Sequence, residues 1–195
     1  MLFARKTLGK DLNELIAWLK ANPNKASAGF GASGAHLVAA LFRKETGTQF
    51  TLVPYRTSNT AMQDLLAGEI ELVFTTPDRL ASMQEGTIKA YAVTGNTRSL
   101  AADIPTFREL ELRSLSFTNW YGLFAPKGTP KEMMGKLYTA TAETLLDRAV
   151  RSRLADLGFE VYSAEQQTPE VLAALVKAGI ERWWPMIKEL GIREE

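Results

Sequence analysis

The sequence contains no cysteine among its 195 residues. This absence excludes disulfide bonds, thiolate nucleophiles and zinc–thiolate sites. There is a single histidine, His36, and none of the HExxH, GxSxG or Walker patterns is present. A lone histidine three residues past a predicted helix start is more often a packing residue than a catalytic one. The sequence therefore points to no catalytic residue, no metal ligand and no cofactor, and we predict that the chain is not an enzyme.

Long apolar runs and runs of like charge are also missing. No apolar segment approaches the roughly 20 residues needed to span a bilayer. The 23 basic and 22 acidic residues are spread along the chain, so neither nucleic acid nor an anionic membrane is expected as a partner. The first residues do not form a signal peptide, because Arg5 and Lys6 follow Met-Leu-Phe-Ala directly. We therefore expect either a cytosolic protein or one whose front part has been removed.

Strand-like and helix-like segments alternate through the first 94 residues. Alternating β-formers predict the strands, and apolar residues at helical spacing predict the helices. Short connections between them favour right-handed βαβ units around a largely parallel sheet, an α/β fold. The predicted strands are 26–30, 49–54, 70–74 and 88–94, and the predicted helices are 11–21, 33–46, 60–67 and 77–84.

The pattern changes after Thr94. Residues 95–116 are rich in loop-forming residues, and the aromatic segment that follows them has the alternation of a strand. Trp183, Trp184 and Ile187 would form an apolar patch on the last helix that requires a partner surface. The predicted helices are 107–110, 131–146, 147–157 and 169–190, and the predicted strands are 117–125 and 159–162.

A glycine-containing loop lies between the first predicted strand–helix pair. Glycine allows the backbone to approach a ligand closely, and we expect Ser33 to cap the helix that follows. The amino terminus of a helix carries roughly half a positive charge, which suits a carboxylate or phosphate. A tight turn with an ordinary cap is the alternative. The candidate ligand-binding residues of this loop are Gly31, Ala32, Ser33, Gly34 and Ala35.

Two further polar turns follow the next two predicted strands. One contains Arg56, Thr57 and Ser58, and the other contains Thr75 and Thr76. Such hydroxyls also serve as simple caps. However, all three turns follow the carboxyl ends of strands, which is where ligands bind in open α/β sheets. The three turns together therefore predict a binding site.

Short motifs in a fixed order along nearly the whole chain resemble the Bug/TctC proteins, the extracytoplasmic receptors of tripartite tricarboxylate transporters. The longest of these motifs runs from Trp120 to Pro130 and reads WYGLFAPKGTP. The others are Asn22-Pro23, His36-Leu37, Val53-Pro54-Tyr55-Arg56, the segment from Asp64 to Ile70, Ala92-Val93-Thr94 and Ile104-Pro105-Thr106.

The resemblance implies a type II periplasmic-binding-protein fold with two lobes. Residues 7–116 would form a complete lobe two, and residues 117–195 the C-terminal part of lobe one. It implies a periplasmic receptor for a small carboxylate, with the membrane subunits of the transporter as partners and self-association through exposed lobe-one surfaces. Thr75 stands where many relatives carry an aspartate that contacts a ligand ammonium. A di- or tricarboxylate or an aromatic acid is therefore expected rather than an amino acid.

Two other functions are compatible with the same architecture. LysR-type regulators use it as a cytosolic effector-sensing domain, but no DNA-binding helix-turn-helix is visible in this sequence. The chain could also be a truncated remnant that no longer binds a ligand. The glycine loop before His36 is shorter than is usual in the family, and the turn at 57–60 is less rich in glycine and proline.

Overall fold

A computed structural model describes residues 1–76, 86–95, 98, 103–116, 118–157 and 159–192. The chain divides into two compact units, one containing Met1–Asn119 and the other Trp120–Gly191. The assignment of residues 7–116 and 117–195 to two lobes stays a prediction.

The first unit contains a five-stranded mixed sheet in the order β3-β2-β4-β1-β5. β2 pairs in parallel with both β3 and β4, whereas β1 runs antiparallel to β4 and β5. Four strands therefore point in one direction, as the alternation of elements predicted. The strands are β1 Leu2–Arg5, β2 Ser27–Phe30, β3 Thr51–Pro54, β4 Leu72–Phe74 and β5 Ile88–Ala92.

Six α-helices are described, three in each unit. Within the first unit, Asp11 caps α1 by accepting a hydrogen bond from the Glu14 amide, and Gly47 ends α2 in a left-handed conformation. Six of the eight predicted helices agree with the observed ones within a few residues. The helices are α1 Leu12–Ala21, α2 Ser33–Thr46, α3 Ser58–Ala67, α4 Lys131–Leu146, α5 Arg148–Asp156 and α6 Pro169–Glu189.

Three predicted elements are wrong, and one observed strand was not predicted. β1 was not predicted, because its four residues, Leu2–Arg5, are too few to show an alternation of apolar and polar side chains and no turn precedes them. Residues 107–110 form a turn rather than a helix, and Glu111 ends it at a φ of 63°. Residues 118–125 and 159–162 are not strands, since no described strand pairs with them. The predicted helix 77–84 lies outside the described residues.

Both faces of the sheet are covered by apolar side chains. On the α2 side, the rings of Phe42, Phe50, Phe74 and Phe107 pack with centroid distances of 5.7–6.5 Å. On the α3 side, Phe3 and Val73 pack with residues of that helix. Residues 73 and 74 are thus on opposite faces, as strand alternation requires.

His36 packs at the start of α2. Its ring stacks on Phe30 with a centroid distance of 4.3 Å and an interplanar angle of 16°. Partial burial lowers the pKa of His36 below its usual value of 6.5, because burial penalises the charged imidazolium.

The second unit has no described residue that is buried. Gly122 lies against Leu172 of α6, and Tyr121 contacts Phe159 edge-on, but most large apolar side chains of the unit stay exposed. Its helices therefore lack the packed core that stabilises the first unit. The most exposed of these side chains are Tyr121, Leu123, Phe124, Leu146, Ile180 and Trp184.

We predict that a buried and an exposed leucine of the first unit respond differently to truncation. Leu41 on α2 is 2% exposed and Leu66 on α3 is 55% exposed. Leu41→Ala should lower the free energy of unfolding by about 2–5 kcal/mol, because it leaves a cavity in the core. Leu66→Ala, the matched control, should change it by less than about 0.5 kcal/mol. Urea denaturation measures both, and equal losses would contradict this packing.

We also predict that His36 makes stability depend on pH. Its folded-state pKa lies below its unfolded-state pKa, so protonation favours the unfolded chain. The contribution of His36 is complete above about pH 6.5 and is lost as the pH falls below that value. A histidine NMR titration, which follows a single residue here, should give a pKa under 6.5. His36→Gln should remove this part of the pH dependence, and a pKa above 6.5 would contradict the packing on Phe30.

Self-association through the second unit remains a prediction. Exposed apolar side chains favour burial against another surface, and a second copy would supply one. Light scattering should detect a dimer, and Phe124→Lys should weaken it more than Leu66→Lys, a control on the first unit. A monomer at all concentrations would contradict the prediction.

Candidate functional site

The candidate site lies where β2, β3 and β4 end. Their parallel pairing aligns Phe30 with Pro54 on one side and with Phe74 on the other. The Tyr55 amide continues the ladder by donating to the Phe30 carbonyl oxygen over 2.8 Å. The three predicted turns therefore start side by side at one edge of the sheet, as the sequence predicted.

Two of these turns are in direct contact at Gly31. A Cβ atom on Gly31 would lie 2.4 Å from the Ser58 nitrogen and 2.7 Å from the Thr57 carbonyl carbon. Real Cβ atoms do not approach backbone that closely, so only glycine fits at this position. The loop that precedes α2 is thus pressed against the peptide that begins α3.

The N-cap residue of α2 forms no side-chain cap bond with any residue that the structure describes. The capping residue is Ala32, with φ −154° and ψ 152°, and its carbonyl oxygen accepts the His36 amide over 3.0 Å. The prediction that Ser33 caps the helix is therefore wrong, because Ser33 is already the first helical residue. Ala32 and Ser33 are exposed, and Gly34 and Ala35 are half-buried. Uncapped N–H groups in a first helical turn are ready donors to an anion.

The amino terminus of α3, by contrast, is capped by its own sequence. The Thr57 hydroxyl oxygen accepts the Thr60 amide over 3.3 Å and lies 3.0 Å from the Thr60 hydroxyl. A role for Thr57 and Ser58 in orienting a ligand stays a prediction. Arg56 next to this cap is exposed, and it forms no ion pair with any residue that the structure describes. The guanidinium therefore adds a free positive charge to this edge.

Thr75 continues β4 and its hydroxyl is the most unusual polar group of the site. The residue is 6% exposed, and its backbone is paired with Met1 through two hydrogen bonds of 3.0 and 2.7 Å. Its Oγ1 is buried without a hydrogen-bond partner among the described residues. Strand alternation places the side chain on the face of Val73, toward α3. A buried hydroxyl without a hydrogen bond lowers the free energy of unfolding by about 1–3 kcal/mol, and buried polar groups normally have a partner. Thr76, the next residue, is half-buried.

Tyr55 and Asp64 were not among the predicted site residues. The Tyr55 hydroxyl donates to Asp64 Oδ2 over 2.7 Å. Burial and this bond raise the pKa of Tyr55 to about 12. The two residues are nine positions apart in the sequence, so no local pattern in the sequence reveals the pair.

Other kinds of site find little support. An open groove runs along α4, but every lining residue belongs to that one helix, and it holds none of the predicted site residues. The described part of the chain contains no cluster of three or more potential metal ligands. None of its helices has the length and apolar character that a membrane span requires.

Comparison with known proteins gives a consistent result. Residues 2–192 match the family described as "Tripartite tricarboxylate transporter family receptor". A UPF0065 protein in the TAR-I ttuE-ttuC' intergenic region of Agrobacterium vitis is 34% identical over 186 residues, which are 93% of this chain and 54% of that protein. The chain thus spans about half the length of that curated relative.

Solved structures show the same likeness. MatC from Rhodopseudomonas palustris with bound malate is 32% identical, with a TM-score of 0.85 over 96% of this chain and 65% of that one. An R. palustris protein with adipate is 28% identical, with a TM-score of 0.85 over 98% of this chain and 65% of that one. The predicted α/β fold of the periplasmic-binding-protein kind and the resemblance to Bug/TctC proteins are confirmed. The chain belongs to the receptor family of the tripartite tricarboxylate transporters.

Proposed function

We propose that this chain is a receptor that captures a small carboxylate at the carboxyl edge of its sheet. The buried, unpaired hydroxyl of Thr75 carries the proposal. Thr75 follows Phe74, which pairs with Phe30 in the sheet. Gly31, the residue after Phe30, contacts the start of α3 at the same edge. The family to which the chain belongs and two similar structures, with malate and adipate, support a carboxylate as the ligand.

Binding by this edge needs only hydrogen bonds and charge. One carboxylate oxygen would accept N–H groups in the first turn of α2, from Gly34 and Ala35. The other would accept the Thr75 hydroxyl proton, while Arg56 supplies a positive charge. Charge-assisted bonds of this kind are about twice as strong as neutral ones. No proton or electron is transferred in this role, so the protein would act as a receptor and not as an enzyme, without metal or cofactor.

The composition of the three turns restricts the ligand class. Residues 31–35, 55–58 and 75–76 include one cation, Arg56, and no acidic residue. An amino acid would bring an ammonium group that finds no counter-charge in these turns. A di- or tricarboxylate or an aromatic acid is therefore the ligand we propose.

Family membership supports a proposal for the remaining partners. A receptor of this family would present its ligand to the membrane subunits of a tripartite tricarboxylate transporter, which places its work in the periplasm. This transport role is proposed by comparison with a relative about twice as long as the segment that matches this chain.

Thr75→Val provides the sharpest test of the site. Valine keeps the shape of threonine but removes a hydroxyl that has no described partner, so the free energy of unfolding should stay the same or rise slightly. The dissociation constant for malate should increase by roughly ten- to a hundredfold, because a hydrogen bond to a charged oxygen is lost. NMR titration of the 195-residue chain with malate and adipate measures the affinity.

Thr46→Val is the matched control. Thr46 is also buried, but its hydroxyl is 2.6 Å from the Phe42 carbonyl oxygen and 2.8 Å from the Thr48 hydroxyl. This change should lower stability and leave malate affinity unchanged. If Thr75→Val leaves the affinity of a malate-binding chain unaltered, the site is misplaced. If the wild-type chain binds neither acid, and also none of a panel of tricarboxylates and aromatic acids, the receptor function is refuted for this chain, as expected of a remnant.

A further inference from the structure

Tyr55 fixes the turn between β3 and α3 at three points. Its amide donates to the Phe30 carbonyl oxygen over 2.8 Å, which ties the turn to β2. Its ring packs on the α3-side core, where a Cβ on Gly29 would come within 3.0 Å of Tyr55 Cε2. Its hydroxyl donates to Asp64 Oδ2 over 2.7 Å. One residue thus joins a strand end through its backbone, and the core and the body of a helix through its side chain.

The third of these contacts links the turn to α3. Asp64 lies within Ser58–Ala67, so the bond connects the turn to the body of the helix rather than to its first turn. Only Arg56 and Thr57 separate Tyr55 from Ser58, whose nitrogen faces Gly31. A shift of the Tyr55 side chain would therefore move the peptide that packs against the loop before α2.

The Tyr55 hydroxyl is protonated at neutral pH and can donate its hydrogen bond to Asp64. Burial, followed by the contact with Asp64, raises the pKa of Tyr55 to about 12, so the phenol keeps its proton and remains a donor. The Asp64 carboxylate is an acceptor only, and this pairing satisfies one of its oxygens.

We propose that Tyr55 is a positioning residue for the carboxylate site, because its hydrogen bond to Asp64 holds the start of α3 against Gly31. The role rests on the proposed receptor function. Tyr55 does not contact the ligand in this scheme. It fixes the positions of Arg56 and of the first turn of α3. These positions determine whether both groups lie close to the start of α2 and to Thr75.

The test removes the donor and the acceptor separately. Tyr55→Phe and Asp64→Ala should each raise the dissociation constant for malate by about three- to tenfold, as expected for one structural hydrogen bond. Asp64→Asn keeps an acceptor oxygen and should restore nearly wild-type affinity. The double variant Tyr55→Phe with Asp64→Ala should be no worse than either single one, since both remove the same bond.

Tyr91→Phe is the matched control. The Tyr91 hydroxyl is also hydrogen-bonded, to the Gly9 carbonyl oxygen over 2.5 Å and the Arg5 carbonyl oxygen over 3.2 Å, and burial likewise raises the pKa of Tyr91 to about 12. Those carbonyls lie at the end of β1 away from Met1, and hence away from the site. This variant should lose stability without losing malate affinity.

Backbone amide NMR of the same variants gives a second readout. Tyr55→Phe should shift the resonances of Gly31 and Ser58, and Tyr91→Phe should leave both in place. If the wild type binds malate but Tyr55→Phe leaves the affinity and these resonances unchanged, the positioning role is refuted and the receptor function stands. The role is also refuted if Asp64→Asn behaves like Asp64→Ala. Absence of wild-type binding would instead refute the receptor function on which it rests.

Discussion

The parallel pairing of β2 with β3 and β4 is the constraint on which the rest of the structure depends. It brings three strand ends together, and every predicted ligand-binding turn follows one of them. The pairing also forces two loops so close that Gly31 meets the Thr57–Ser58 peptide directly. A side chain at that position would separate the amino termini of α2 and α3, and the site would open.

The first unit treats its buried hydroxyls in two ways. The Thr46 and Thr48 hydroxyls are hydrogen-bonded to each other, and the Thr46 hydroxyl also donates to the Phe42 carbonyl oxygen. Thr75 is buried to the same degree, yet its hydroxyl has no described partner. Proteins tolerate such a cost where function requires it, and the family of this chain consists of receptors.

The two units differ in how their apolar residues are used. In the first, aromatic rings fill the space between α2 and the sheet. In the second, residues such as Phe124 and Trp184 are more than half exposed. Hydrophobic burial is the main stabilising term in folding, so these side chains favour contact with a further surface.

Local patterns in the sequence were enough to predict the alternating elements and the family, whereas the position of a ligand at the strand ends stays a prediction. The hydrophobic period, the glycines that end helices and the turns that follow strands are short-range features. Each family motif, from Asn22-Pro23 to the segment ending at Pro130, is likewise a continuous stretch of the chain. The antiparallel β1, the cap at Ala32 instead of Ser33, the Tyr55–Asp64 bond and the unpaired Thr75 hydroxyl were decided by the tertiary structure. Each depends on which distant backbone or side chain lies opposite, and no pattern within a few residues records that.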